Sequence, residues 1–333
     1  MRRLAAQGLL ALGVAFVVMA PAVHWLVPGL AAREPAQVNQ QLFLQGTGDF
    51  TDPGTQKVYK NVPLQVSRYI TTACTGGDPT QSKSSVSCPQ GQLGSGDTAV
   101  WDQRIEFTGV GDGKRIVVAV YLDVIAFDRS TGAARTGLGQ THDHLGSQVF
   151  FFPFNTKKAT YPLWDVASNK VEPATFVQET TYAGQHVYEF DQNATIDLGN
   201  FTASGTAPGK LFGRPSEPSV AAHQIYVTNR QIFVSPRTGT ILGETENTSL
   251  TGQALDGRGT PFPIFSSDHF TTAPESQAFL AGKARAADKA LDLLQNVLPI
   301  LLIAVGLLAI IIGLVLRRRW APPPSLPPPV WPV

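Results

Sequence analysis

The sequence predicts an α+β protein, mainly β: an extracytoplasmic, antiparallel β-rich domain held between an N-terminal and a C-terminal transmembrane helix. Three observations lead there. Leu4–Ala32 and Val297–Leu316 are apolar runs free of Asp, Glu, Lys and Arg. Between them, β-branched and aromatic runs are broken by Gly, Pro and Ser, which is the chemistry of strands and turns. Arginines flank the runs on their outer sides, Arg2 and Arg3 before the first and Arg317, Arg318 and Arg319 after the second. The positive-inside rule then puts both termini in the cytoplasm of a cell membrane and the main domain outside.

Residues 1–3 form the cytoplasmic N-terminus and residues 4–32 the first span. This run is longer than a signal peptide needs, so an uncleaved helix is expected, kinked where Pro21, His24 and Pro28 interrupt it. Ala20-Pro21-Ala22 leaves cleavage by signal peptidase open as the alternative, and the middle is exported in both cases.

The β-rich domain occupies residues 33–271. Val62, Leu64, Val66 and Ile70 alternate with more polar residues, and Ile116–Phe127 is a β-branched and aromatic run long enough to cross a core. Gln231–Val234 also reads as strand. Asp128-Arg129-Ser130-Thr131-Gly132 and Ser235-Pro236-Arg237-Thr238-Gly239 read as turns, with Gly supplying a positive φ. Large loops are expected at Thr75–Gly96 and Ala203–Pro218.

Thr272 with Glu275 reads as a capping box opening a juxtamembrane helix over 272–296. Leu280, Ala284, Ala287, Leu291, Leu294 and Leu298 follow at spacings of four and three. That stripe predicts packing against the N-terminal helix or the base of the domain, a dimer seam being the alternative. The second span, residues 297–316, is 20 residues long. As a helix it covers ~30 Å, the thickness of a bilayer core. Residues 317–333 form a cytoplasmic, proline-rich tail expected to be extended.

Acidic residues outnumber basic ones once the flanking arginines are set aside, so the exported part gives no electrostatic reason to bind nucleic acid. The two cysteines, Cys74 and Cys88, both lie in that part. In an oxidising compartment they read as a disulfide closing a surface loop, worth ~3 kcal/mol for a loop of this length. A free-thiol or metal role is the alternative.

No nucleophile elbow, phosphate-binding glycine loop or HExxH is present, and neither an enzyme nor a cofactor is expected. His142-Asp143-His144 is the best cluster: two residues apart on an extended strand, both imidazoles reach one metal. A solvated loop between Gly139 and Gly146 is the plainer reading, and no carboxylate partner stands out. Phe150, Phe151, Phe152 and Phe154 form the strongest apolar feature of the exported part. They read as a core strand ended by Pro153, with contact to lipid, in a cavity or at the bilayer, as the functional alternative. Neighbours on a strand face opposite sides, so the four must also meet a second layer, a ligand or a membrane.

An ordered series of phrases resembles an actinobacterial family of envelope proteins, labelled PorA-like porins, whose domain has no settled function. The phrases are Gly48–Thr55, Val62-Pro63-Leu64 with Arg68, Ala99-Val100-Trp101-Asp102, Asp128–Gly132, Phe152-Pro153-Phe154, Tyr161-Pro162-Leu163-Trp164-Asp165, Gly184 with Val187–Phe190, and Ser235–Gly239. The resemblance runs through nearly the whole chain and implies a cell-envelope protein. Two helices without polar faces do not line an aqueous pore in one copy, and the strands show no sustained ~10-residue alternation of a membrane barrel. The leading expectation is therefore a doubly anchored envelope protein whose domain binds or passes an apolar ligand, an envelope lipid, with the bilayer as its other partner. A porin or channel component and an extracytoplasmic hydrolase using His142, His144 and His186 are the alternatives.

Overall fold

The computed structural model describes residues 2–72, 97–136 and 140–319, which fall into two units. Cys74, Cys88 and the tail beyond Arg319 lie outside the described residues, as does the loop at 75–96. One unit, residues 33–286, is a single antiparallel sheet with a helical segment; the other contains residues 2–32 and 287–319.

The strands are β1 (Asn39–Thr51), β2 (Val58–Thr72), β3 (Thr98–Gly111), β4 (Lys114–Asp128), β5 (Thr160–Asp165), β6 (Lys170–Tyr182), β7 (Gln185–Asn200), β8 (Thr206–Ala207), β9 (Val220–Val234), β10 (Ile241–Ala254) and β11 (Phe262–Thr272). Their order across the sheet is β4-β3-β2-β1-β11-β10-β9-β7-β6-β5, with β8 pairing β9. Most are 13 to 16 residues long and most follow one another as hairpins. The long run Ile116–Phe127 is β4, as its composition predicts.

The two ends of this order do not stay open. Chain between β4 and β5 runs back along both: Arg135 N–H donates to Ala126 O at 2.7 Å and Thr141 N–H to Val124 O at 3.1 Å, while Gln148 N–H donates to Pro162 O at 2.7 Å. Ala134 N–H donates to Ser147 O at 2.8 Å, joining the two returning segments. The sheet thus closes on itself through a short irregular seam. One interior follows, since Ile105 and Phe107 of β3 share a core with Trp164 of β5, Ile196 of β7 and Tyr226 of β9.

Closure also explains the faces. Gln41, Gln45 and Thr47 of β1, Asn193, Thr195 and Asp197 of β7, and Asn229 and Gln231 of β9 are exposed, while their neighbours in sequence are less so. Side chains alternate between the two faces with the backbone period of two. The inward face is largely apolar, and the outward face mixes these polar residues with exposed Val117, Val120 and Leu122 of β4 and Val177 of β6.

Phe150–Phe154 is not a strand. A single bridge, Phe151 to Thr240, is its pairing among the described residues, because Pro153 cannot donate to a ladder. The run is held instead between the two turn phrases: Phe152 N–H donates to Gly239 O at 2.8 Å and Phe154 N–H to Ser130 O at 3.3 Å. Gly132 and Gly239 have φ of 75° and 71°, and a Cβ on either would lie 2.5 Å from Phe151 O or 1.8 Å from Phe152 O. Glycine is required there twice over, for the left-handed backbone and for the close approach. Within the first turn Asp128 accepts from Ser130 and Thr131 and pairs with Arg135. Burial works against its charge, but those donors hold its carboxyl well below the usual carboxylate range.

After β11 comes α2 (Pro274–Asp292), then a π-helical turn (Leu293–Val297) and α3 (Leu298–Arg319), without a break. The capping box is not formed. Proline occupies the first helical position, where its missing N–H costs nothing. Thr272 stays in β11, its hydroxyl accepting from Glu244 N–H at 2.8 Å. The first half of the predicted stripe packs on the sheet, Leu280 beside Leu42, Ile70 and Trp101, and Ala284 beside Val187 and Leu242. Lys283 pairs with Glu34 at 2.7 Å, and Ser276 Oγ accepts from Phe43 N–H.

In the other unit, α1 (Arg2–Ala31) runs through Pro21 and Pro28 without interruption and packs antiparallel on α3. Both helices are long and apolar enough to cross a membrane. Small residues set their approach. Ala6, Gly13 and Ala20 on α1 and Pro299, Gly306 and Gly313 on α3 are buried, each set at heptad spacing. A Cβ on Gly13 would lie 2.6 Å from Gly306 O, and one on Gly306 would lie 2.8 Å from Gly13 O. Pro299 has no N–H for the carbonyl four residues before it, that of Gln295, and His24 Nδ1 lies 2.5 Å from that oxygen. The carbonyl can only accept, so Nδ1 carries the hydrogen.

Replacing Gly13 with Leu should separate the helices, with an expected cost of ~1–3 kcal/mol. The check is thermal denaturation of the full chain in detergent, where Gly13→Leu should melt below the parent protein.

Candidate functional site

Inward positions of the closed sheet are not all apolar. Arg68 of β2, Asp165 at the end of β5, Arg230 of β9, and Glu244 and Glu246 of β10 meet in the interior. The period of two along β9 and β10 puts Arg230 and both glutamates on the face that carries Tyr226, Ile232 and Leu250. Arg68 Nη2 lies 3.2 Å from Glu244 Oε1, and the Arg230 guanidinium is 3.3 Å from Glu246, 3.6 Å from Glu244 and 3.4 Å from Asp165. Tyr226 Oη donates to Asp165 at 3.1 Å and Arg230 Nη1 to Gln192 at 3.0 Å.

Three carboxylates therefore face two guanidiniums. Burial opposes the charge on Glu244, yet Arg68 and Arg230 hold its carboxyl below its ordinary value. Burial likewise opposes the Arg230 charge, and Glu246, Glu244 and Asp165 more than restore it. A cavity of ≈ 50 Å³ adjoins this layer and is lined by Gln103, whose Oε1 is buried without a partner. A second, also ≈ 50 Å³, lies beyond Arg68 and Glu244, walled by Leu42, Ile70, Trp101, Phe150 and Phe151 with Lys283 at its side. The Arg68–Glu244 pair is common to both.

The sequence cluster at 142–144 is brought onto a carboxylate after all. Asp123 interrupts the apolar run of β4 and is wholly buried. Its Oδ1 lies 3.2 Å from His142 Nδ1, its oxygens 3.0 and 3.1 Å from His144 Nε2, and its Oδ2 accepts from Trp164 Nε1–H at 2.8 Å. The Thr141 hydroxyl donates to Oδ1. Burial raises the Asp123 carboxyl, but the donors from His144, Thr141 and His142 bring it below its usual value. The histidines are carried by a loop, not by a strand, and a left-handed Leu145-Gly146 pair turns it. His144 is buried and its Nδ1 has no partner, whereas the His142 side chain is 37% exposed. His186 does not join them; it lies 2.8 Å from Glu179 on the β6–β7 hairpin.

The aromatic run serves two cores. Phe150 and Phe151 pack with Phe127, and Phe150 also with Trp101 at 4.9 Å, while Phe152 packs with Phe190 at 4.7 Å and Tyr161 at 5.2 Å. Phe154 lies at the margin of the first core. The second layer that the sequence called for is thus protein, and the first core is also a cavity wall. Sequence reasoning missed Asp123, Asp165 and Arg230. Asp123 and Asp165 each carried a signal, a single charge inside an otherwise apolar run; Arg230, between Asn229 and Gln231, carried none.

Arg230→Met should strand Asp165 and Glu246, with Glu244 keeping Arg68, and cost ~3–5 kcal/mol at pH 7. Stranded buried carboxylates take up protons more readily, so the deficit should shrink as pH is lowered to 5. Urea denaturation at the two pH values reads both effects, and an equal deficit at each would contradict the charge account.

No curated protein matches the sequence. The family model described as Porin PorA matches residues 5–315, which takes in both apolar helices, the closed sheet and its charged interior. The chain belongs to the Porin PorA family.

Proposed function

We propose that this chain is a channel-forming envelope protein that conducts as an assembly of copies, with α1 and α3 in the bilayer, both termini cytoplasmic and the closed sheet in the water outside. Membership of a porin family supports the channel role. Its form rests on one observation: among the described residues, neither unit shows an open aqueous route through its interior. The α1–α3 pair is closed along Gly13 and Gly306 and turns Leu, Ile and Val outward. The interior of the sheet is filled by aromatic cores and paired charges around cavities of ≈ 50 Å³. Conduction then requires several helix pairs together, or an interior opened by parting Arg68 from Glu244. No catalysis and no cofactor enter this reading.

Purified full-length protein in a planar bilayer should give stepwise conductance that rises more steeply than linearly with protein concentration. Silence across neutral and anionic bilayers would sink the channel reading.

A second reading, an ectodomain that binds or passes an envelope lipid, is favoured by the apolar cavity beside Phe150, Phe151 and Leu280, with Lys283 and Arg68 at its edge. Its ≈ 50 Å³ is well below the ~150 Å³ that takes benzene in an engineered cavity, so a lipid chain would have to open it. Organic extraction of the purified protein with mass spectrometry is the test. Lipid should co-purify and be lost in Phe150→Ala, at the cavity wall. Phe152→Ala, in the separate core, should cost ~3–5 kcal/mol of stability instead. Recovery of no lipid removes this reading.

A further inference from the structure

We propose that Asp123, His142 and His144 bind a divalent transition-metal ion of the zinc type, at the seam where the sheet closes. The donor set is two imidazole nitrogens and one carboxylate oxygen, all within 4.8 Å of one another. Ligands ~2.0–2.2 Å from a tetrahedral ion stand ~3.3 Å apart. His142 Nδ1 and His144 Nε2 lie 3.2 Å and 3.0–3.1 Å from the Asp123 oxygens, so small displacements admit one ion. Borderline nitrogen donors with a single carboxylate suit zinc or cobalt rather than calcium or magnesium.

The surroundings of the three groups are those of a built site. Trp164 Nε1–H and the Thr141 hydroxyl fix the carboxylate from outside the donor set, the role that outer-shell partners play around metals. Asp123 is fully buried, and the groups donating to it are a hydroxyl, an indole and two imidazoles, none of them permanently cationic. A buried carboxylate needs a positive partner, and a divalent ion supplies one. The half-exposed His142 provides the entry side and leaves a coordination position facing water. An ion on His144 Nε2 keeps the ring hydrogen on Nδ1, which is buried and unpartnered. That cost makes the site one of moderate affinity.

The consequence is mechanical. Asp123 belongs to β4, Trp164 to β5 and the histidines to the chain linking them, so an ion ties together the three parts of the seam.

The experiment uses the full chain in detergent, treated with iodoacetamide so that free thiols do not contribute, with Co²⁺ as the probe. Saturable, stoichiometric binding with the intense visible bands of four-coordinate cobalt, displaced by Zn²⁺, is expected. His142→Ala, at a half-exposed position, should keep the circular dichroism and metal-free melting of the parent and bind Co²⁺ at least ~10–100-fold more weakly. Zn²⁺ should raise the Tm of the parent and not of the variant. His144→Gln serves as the second variant and should lose the cobalt bands. Absence of saturable binding in the parent, or equal affinity in a folded His142→Ala, overturns the proposal.

Discussion

A sheet of long strands must do something with its two edges, and in this protein that requirement organises the rest. β4 and β5 each expose a row of backbone donors and acceptors, which would template aggregation if left bare. The linking chain between them has too many constraints to run as a strand, since it passes through Gly132, Gly146 and Pro153. It meets the edges with separate hydrogen bonds from Arg135, Thr141 and Gln148. Everything distinctive lies along that seam. The turn at Asp128–Gly132 starts it, the histidine loop and Asp123 occupy its middle, and the aromatic run ends it against the second turn.

Once the sheet is closed, inward positions are sealed from water, and the charges found there become costly unless matched. Buried ion pairs rarely stabilise a protein relative to apolar packing of the same shape. Arg68, Arg230, Asp165, Glu244 and Glu246 are therefore an expensive way to fill an interior, and ordinary packing economy does not account for them. On the channel reading proposed above, a charged layer across an enclosed interior would serve as the selective element of a route that parting Arg68 from Glu244 opens.

Much of this was legible in the sequence, for reasons that can be stated residue by residue. The apolar runs were readable as helices long enough to cross a membrane because length and the absence of charge are local properties of the sequence, although Ala20-Pro21-Ala22 left a cleaved signal segment open for the first. Strand content and the two turns were readable because β-branched runs and Gly-terminated reversals are local signals. The period-two pattern of the sheet was not readable, because Arg230, Glu244 and Glu246 occupy inward positions and bulges at Phe107, Phe176 and Glu246 shift the register. His142 and His144 were visible as a pair, but their carboxylate is 19 and 21 residues away in a strand. Only closure brings it to them. Thr272 looked like a helix cap because capping is a local pattern, yet its hydroxyl was claimed by Glu244 across the sheet.

The seam between α1 and α3 has a consequence for motion. Ala6, Gly13 and Ala20 meet Gly313, Gly306 and Pro299 in one antiparallel register, and His24 meets Gln295 in the same register. Sliding by one or two residues would drive Leu or Val into a slot sized for glycine, and would pull His24 from the Gln295 carbonyl, to which Pro299 has no N–H to donate. The next slot lies a full heptad away, ~10 Å at ~1.5 Å per residue. The hairpin is therefore a detent and not a slide bearing: it can pivot about its seam, or come apart, but it cannot creep.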